Sequence, residues 1–582
     1  MATSGVDRGS HSALKRSRGL RILPDDGSSA RSQHTTVEPS DEAVVASPDV
    51  GEPATPRGAH QPRTRRVWWI AFLAFTTLGS LWALASPLFS VPDEPAHVIR
   101  AASAARGQVL PGERTARGFS ATVEVPAIIA KSAETPSCYV FKGNVPAGCA
   151  RSFAGSTRTV EAETNAGFYP PAFYVVVGAP SVPFPSATGI YLMRAVSAAI
   201  CGALLASAVV SAWSLPGPRL LLAGIAFAVT PMVLFLAGSV NPNGIEIAAA
   251  ICLWVSLAVA LMAPDSPALG RLLTRVGVSG TILALSRPLS PMFVVVIVAA
   301  LLALFGWRPM LRLARDRRGQ IAAAAVALSS LSTFVWVMAF GTLDQTPGAG
   351  PTDATLLHNV RLAAGKTPWL VESMIGIFGW LDTGAATVSV YAWLFAVATL
   401  LLLGLATSGR REAAVLIAVV IAVVAVPIAL EAPRASDQGF PWQGRYTLPL
   451  AAGVPILCSL QVDRARLIPG HVIRSLSALL LTLFVIGQLY AHFWSTRRYT
   501  AGTHGTLNWL AADGWQPAVP VWLVLAGFVV ALTFTVVWLQ RLVIADRAAE
   551  PAMSGETTIR SADRRGRPVE VGNLAPMTGS KR

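Results

Sequence analysis

The sequence predicts an all-α integral membrane protein of about twelve transmembrane helices. Three observations lead there. Of 582 residues, 53% are hydrophobic and only 14% are charged, whereas a soluble globular chain carries about 25% charged residues. Mean hydropathy is +0.51. Apolar runs of spanning length recur from Val67 to Gln540, separated by short polar segments, which is the pattern of a chain that crosses a bilayer repeatedly. The formal net charge of +15 does not point to nucleic acid. The basic residues gather at the ends of the apolar runs and in the tails, where membrane orientation and anionic lipid headgroups account for them.

The elements follow in order. Residues 1–66 are polar, rich in Ser, Pro and Arg, and lack periodicity; they read as a disordered cytoplasmic tail. The first apolar run begins near Val67 and is long enough to span, which argues against a cleaved signal peptide. The membrane domain covers 67–541, with spans expected near 67–85, 188–212, 219–237, 245–263, 271–286, 291–306, 320–340, 388–406, 413–431, 446–462, 472–494 and 519–540. Residues 542–582 repeat the composition of the first tail. Basic stretches "PRTRRVWW", "RPMLRLARDRRG", "SGRRE" and "DRARLIPGHVIR" fall on one face if the first helix runs outward. That makes a multi-pass protein of the cytoplasmic (inner) membrane with both termini cytoplasmic.

The opposite face receives the longer loops. One spans 86–168, with short helices expected in it; another spans 341–387; shorter ones hold "GSVNPNG", "SRPLSP" and "EAPRASDQGFPWQGRY". Two large loops on one face suit an enzyme at the outer membrane surface better than a transport bundle.

Ionisable residues gather in these loops. In "PLFSVPDEPAHVIRA", Pro92 ends the preceding helix. Asp93 is positioned to N-cap a new one, with Glu94 and Pro95 in its first turn, and Asp93, His97 and Arg100 share a face at helical spacing. One reading is a capped, solvated surface helix. The other is a carboxylate delivered to the membrane–water boundary as a general base, Asp93 first and Glu94 second. "NAGFYPPAFYVVVGAP" is either an aromatic belt anchored by Tyr169 or a broken segment beneath the first loop. Arg194, Arg287 and Arg445 lie at the outer ends of spanning runs, where the positive-inside tendency disfavours them. Snorkelling explains them, and so does binding of a lipid phosphate by a planar fork of donors. Glu246, just inside a span, is expensive unless paired. "FGWLDT" brings Trp380 and Asp382 into the late loop; Trp380 is either interfacial or a sugar-stacking ring. Cys138 and Cys149 form a disulfide if their loop faces an oxidising compartment and are free thiols otherwise. The five cysteines have no metal-ligand spacing, and Cys201, Cys252 and Cys458 lie in apolar runs. The metal question stays open; if an ion is used, hard oxygen ligands suit Mg or Mn. No P-loop, dinucleotide fingerprint, zinc-protease motif or nucleophile elbow occurs in the sequence.

Read in order, "PLFSVPDEPAHVIRA", "YPPAFYVVVG", "YLMRAVSA", "GSVNPNG", "LSRPLSP", "FGWLDT" and "QGRYTLPL" resemble the motif succession of a family of predicted multi-spanning bacterial membrane proteins, domain of unknown function 2142. The resemblance runs from about Val67 to Gln540. Two departures are Asn243, where the family often has Asp, and "TGAA", which lacks a proline often found there. The family is usually placed beside the GT-C glycosyltransferases. The resemblance therefore implies a GT-C-like bundle that takes sugars from polyprenyl-phosphate lipids and uses an acidic residue of the first outer loop.

The combined expectation is transfer of a sugar from a polyprenyl-phosphate-linked donor to a cell-envelope glycan or lipid acceptor on the extracytoplasmic face. Asp93 is the expected base and Glu94 the second carboxylate. Arg287 and Arg445 are expected on the donor phosphate, with His97, Arg194, Tyr169, Trp380 and Asp382 completing the pocket. The alternative is a transporter or flippase for lipid-linked glycans, which needs the arginines but no base. A scaffold for envelope assembly is a third reading.

Overall fold

The computed structural model describes residues 60–115, 118–217, 219–343, 354–506, 508–511 and 514–545. Most of the two expected tails, 1–59 and 546–582, and the middle of the late outer loop, 344–353, lie outside the described residues. At the edges, the first helix begins earlier than expected, at His60, and the last ends at Ile544.

The described chain is overwhelmingly helical. Among the described residues, eight helices are long and apolar enough to cross a membrane, and a ninth is added if Ser290–Phe305 and Trp307–Arg315, bent by 115°, count as one span. This falls short of the expected twelve for physical reasons. The run 219–237 is two helices, Leu221–Ala228 and Pro231–Ala237. Pro231 cannot donate to the preceding turn, and Thr230 caps the second helix by accepting from Val233 N. Leu269–Ser286 carries Arg271 and Arg275 in its apolar pattern. The run 446–462 is divided between Gly444–Ala451 and Gly453–Ala465.

Packing sorts the helices by depth. In Pro242–Met262, 94% of the apolar window is buried, so this helix is the axis of the bundle. It packs on Ala187–Trp213 and Leu269–Ser286, while His60–Leu84 lies along Ala187–Trp213. Arg317–Phe340 and Arg410–Gln438 are only 17% buried. Their apolar outer faces are those a bilayer would cover.

Residues 86–168 contain both short helices and sheet. Glu94–Ala105 is the main helix, and strands Ala121–Pro126 and Thr159–Thr164 pair antiparallel with Ala121 opposite Thr164. Cys138 and Cys149 are joined as a disulfide in the same loop. The segment after it folds as Ala172–Gly178, which packs against Glu94–Ala105. Gly178 permits that approach: a Cβ there would sit 2.0 Å from the Ala101 carbonyl oxygen. The first loop is thus fastened to the bundle by a short helix rather than left on the surface.

Candidate functional site

The site begins at the turn from the first membrane helix into the loop. Asp93 precedes Glu94–Ala105 but does not cap it as the sequence suggested. Its backbone is left-handed, at φ 64°, and its side chain makes no capping hydrogen bond. An Asp tolerates this region better than most residues. The conformation turns the carboxylate away from the helix end, and Arg445 Nη2 donates to Asp93 Oδ2 at 2.5 Å. The Arg445 guanidinium also donates to the Tyr446 hydroxyl and is almost wholly buried. Asp93 is 38% exposed, and its other oxygen accepts no hydrogen bond among the described residues.

Glu94, the adjacent carboxylate, has a different place. It is fully buried and takes two hydrogen bonds from Arg194, from Nε at 2.8 Å and Nη2 at 2.6 Å, and a third from Val240 N. Arg194 spends its remaining N–H groups on the carbonyls of Ala83, Ser86 and Pro87. Asn241 adds a bond from its side chain to the Pro92 carbonyl. The "GSVNPNG" turn therefore braces "SVPDEP". Glu94 and Arg194 belong to this brace, and neither lines the cavity described next. With both Glu94 oxygens engaged, the Asp93–Glu94 pair does not fit a divalent cation. Among the described residues no group of three His, Cys, Asp or Glu side chains is placed to hold a metal ion.

A cavity of about 410 Å³ opens beside Asp93. His97, Tyr169 and Arg287 line it with Asp93, as does a group from the segment between the ninth and tenth predicted spans: Glu431, Arg434, Gln438, Trp442 and Tyr446. Its apolar wall includes Leu289, Phe293, Leu343 and Leu430. His97 Nδ1 lies 2.9 Å from the Tyr174 hydroxyl. Burial pushes the imidazole down to about 3, against the pull of Asp93 and with the help of Arg287 and Arg445, so it is neutral. Burial likewise raises the Tyr169 phenol, which Arg287 opposes.

Arg287 follows the last residue of Leu269–Ser286 in extended backbone. It pairs with Glu246 at 3.2 Å and stands over the Tyr446 ring at 4.5 Å. Ser290 donates to the second Glu246 oxygen at 2.6 Å. The carboxylate that is expensive inside a span is thus doubly paired, and its partner is held at the cavity rim.

Trp380 and Asp382 are not brought to the cavity. Trp380 Nε1 donates to the Phe89 carbonyl, and its ring meets Phe141 edge-on. Asp382 pairs with Arg498 at 2.8 Å. Arg498 also donates to the carbonyls of Val145, Tyr139 and Lys142, next to the disulfide. These residues lock the late loop onto the first loop. They are partly buried contacts between the loops and do not line the cavity.

Sequence reasoning missed the contribution of "EAPRASDQGFPWQGRY". Glu431 is buried, accepts from Trp442 N at 2.5 Å and from Lys366 Nζ at 3.4 Å, and still faces the cavity. Arg434 is exposed there and forms no ion pair among the described residues. The available signal was the density of charged and aromatic residues between two apolar runs, next to Arg445.

The arrangement joins one accessible carboxylate, a neutral histidine and two cavity-facing arginines to an apolar wall. It places cationic and apolar groups side by side, next to a carboxylate that solvent reaches. No curated protein matches the chain. The sequence profile described as "Predicted membrane protein (DUF2142)" matches residues 75–454, a segment that contains the whole cavity lining. The chain belongs to this family of predicted membrane proteins, domain of unknown function 2142.

Proposed function

We propose that the protein transfers a sugar from a polyprenyl-phosphate-linked donor to a hydroxyl of a cell-envelope glycan or lipid acceptor, on the extracytoplasmic face of the cytoplasmic membrane. The carrying observation is the half-exposed Asp93 carboxylate, turned into a cavity that has arginines and an apolar wall. Asp93 takes the proton of the acceptor hydroxyl. The acceptor oxygen bonds to the anomeric carbon as the bond from that carbon to the phosphate oxygen breaks, and the polyprenyl phosphate departs with the electron pair. Arg287 stabilises the negative charge on the leaving phosphate. Arg445 serves mainly to orient Asp93, and neutral His97 shapes the acceptor side. In this reading the chain is a GT-C-like bundle of about twelve spans, its broken segments included, with both termini in the cytoplasm.

Two features support that orientation. The cavity draws on the loops assigned to the outside, and the basic loops meet at the other end of the bundle, around Arg464 and Arg466. A flippase for lipid-linked glycans would use the same arginines without a base. Envelope glycan composition in a strain lacking the protein separates the two. A missing sugar residue supports the transferase, and a complete lipid-linked precursor that accumulates supports the flippase.

A further inference from the structure

A second cavity, of about 350 Å³, lies where Pro242–Met262 ends. That helix starts beside the Glu94 brace, so 21 residues put this cavity about 30 Å from the candidate site. Its walls combine apolar and cationic groups. Leu215, Met262 and Phe305 supply the first, and Arg219, Arg464 and Arg466 the second; Arg219 is buried and donates to the carbonyls of Leu215, Leu542 and Ala545. Arg464 stands over the Phe305 ring at 5.2 Å. Arg466 is exposed and left-handed, at φ 52°, and forms no hydrogen bond or ion pair among the described residues. The acidic group in the wall, Asp463, directs its two oxygens to Leu220 N and Leu221 N, at the start of helix Leu221–Ala228, and forms no ion pair with Arg464 or Arg466 among the described residues.

The neighbouring helix fixes the depth. Trp307–Arg315 turns by 115° from Ser290–Phe305, and its Pro309 reaches the cavity wall. Trp307 and Leu311 are exposed apolar groups, while Arg308, Arg312 and Arg315 make the helix basic. Such a helix is suited to the plane of a membrane surface, which would set the cavity beside it at headgroup level, between spanning helices.

We infer that this cavity binds the phosphate headgroup of an anionic phospholipid, with Arg464 and Arg466 on the phosphate and Phe305 and Met262 against the start of the acyl chains. Basic pockets between helix ends on the side of positive loops are suited to such headgroups. The site is independent of the proposed transfer reaction and shares no residue with it.

The test is lipid retention by the full-length protein in detergent, measured by native mass spectrometry. The probes are phosphatidylglycerol, phosphatidylcholine and inorganic phosphate. Wild type should retain phosphatidylglycerol in preference to phosphatidylcholine, and millimolar inorganic phosphate should not displace it. Arg464→Ala/Arg466→Ala should weaken retention on the order of 30-fold, from about 1 kcal/mol per arginine near an anionic headgroup. Arg466→Gln alone removes only an exposed, unpaired side chain, so it folds even if the double variant does not, and it should lose roughly fivefold. Equal retention of both lipids, or unchanged retention in Arg466→Gln, would overturn the assignment. Displacement by inorganic phosphate would overturn it too, by making the site one for a free anion.

Discussion

The Glu94–Arg194 pair makes the sharpest structural prediction, because it divides two adjacent carboxylates into different roles. Glu94→Gln leaves the Arg194 charge buried with no counter-charge. It also turns an amide N–H₂ toward donors that now face a carboxylate. Removing one partner of a buried pair destabilises by about 3–5 kcal/mol. The three bonds to Glu94 and the three from Arg194 to Ala83, Ser86 and Pro87 all fasten the same turn, so the loss should fall at the upper end. Replacing both residues by apolar ones, Glu94→Leu with Arg194→Met, removes the unpaired charge but orphans those carbonyls, so recovery should be partial. The assay is thermal unfolding of the purified protein in detergent, with the folded fraction followed by size exclusion. Glu94→Gln should unfold at a clearly lower temperature than wild type. If it is as stable as wild type yet loses sugar transfer, Glu94 is a reacting group and the structural assignment is wrong.

Other expectations follow from the same geometry. Cys138 and Cys149 are 11 residues apart, so their bond should stabilise the loop by roughly 3 kcal/mol in the chain-entropy model; mass spectrometry of non-reduced peptides should find the cross-linked pair, and two free thiols would contradict it. His97 is held neutral down to about pH 3 by burial, whereas in the unfolded chain it binds a proton near 6.5. Its contribution is therefore complete above about pH 6.5 and is lost as pH falls from there toward 3, by up to about 1.4 kcal/mol per unit. The unfolding temperature should fall more steeply over that range in wild type than in His97→Gln, and equal slopes would remove the histidine from the account. Arg287→Ala should weaken binding of a polyprenyl-phospho-sugar by roughly 1.5–3 kcal/mol. Because it also unpairs Glu246, the comparison is with Arg287→Ala/Glu246→Gln, and wild-type affinity in that double variant would leave Arg287 a structural group.

The fold was legible where it depends on local pattern. Long apolar runs and basic flanks located the helices, because hydrocarbon burial and backbone satisfaction act along a single segment. Breaks such as Val229–Thr230 were not legible, since Pro231 reads equally well as the start of a helix or a kink within one. At the site, the sequence shows residue types but not the partners those residues take. Asp93 and Glu94 are neighbours with the same chemistry, and only their partners separate them. Those partners are 352 residues away for Asp93 and 100 for Glu94, a distance across which a single sequence carries no pairing signal. The left-handed turn at Asp93 was hidden for a related reason, because the same "PDEP" string also satisfies an N-cap. Asp382 and Trp380 were assigned to the pocket from their loop, yet loop membership does not say whether a side chain faces the cavity or the neighbouring loop.

The proposed role of Asp93 as the base is tested most directly by sugar transfer from a polyprenyl-phospho-sugar in membranes containing Asp93→Asn, with protein level checked by immunoblot. Asn adopts the left-handed backbone at least as readily as Asp and no capping bond is at stake, but the buried Arg445 loses its counter-charge, so some stability is lost and turnover is compared per amount of folded protein. Arg445 keeps a hydrogen-bond acceptor, but the proton acceptor is gone. Turnover should fall by about 10²-fold or more. A well-expressed Asp93→Asn protein with wild-type turnover would contradict the account.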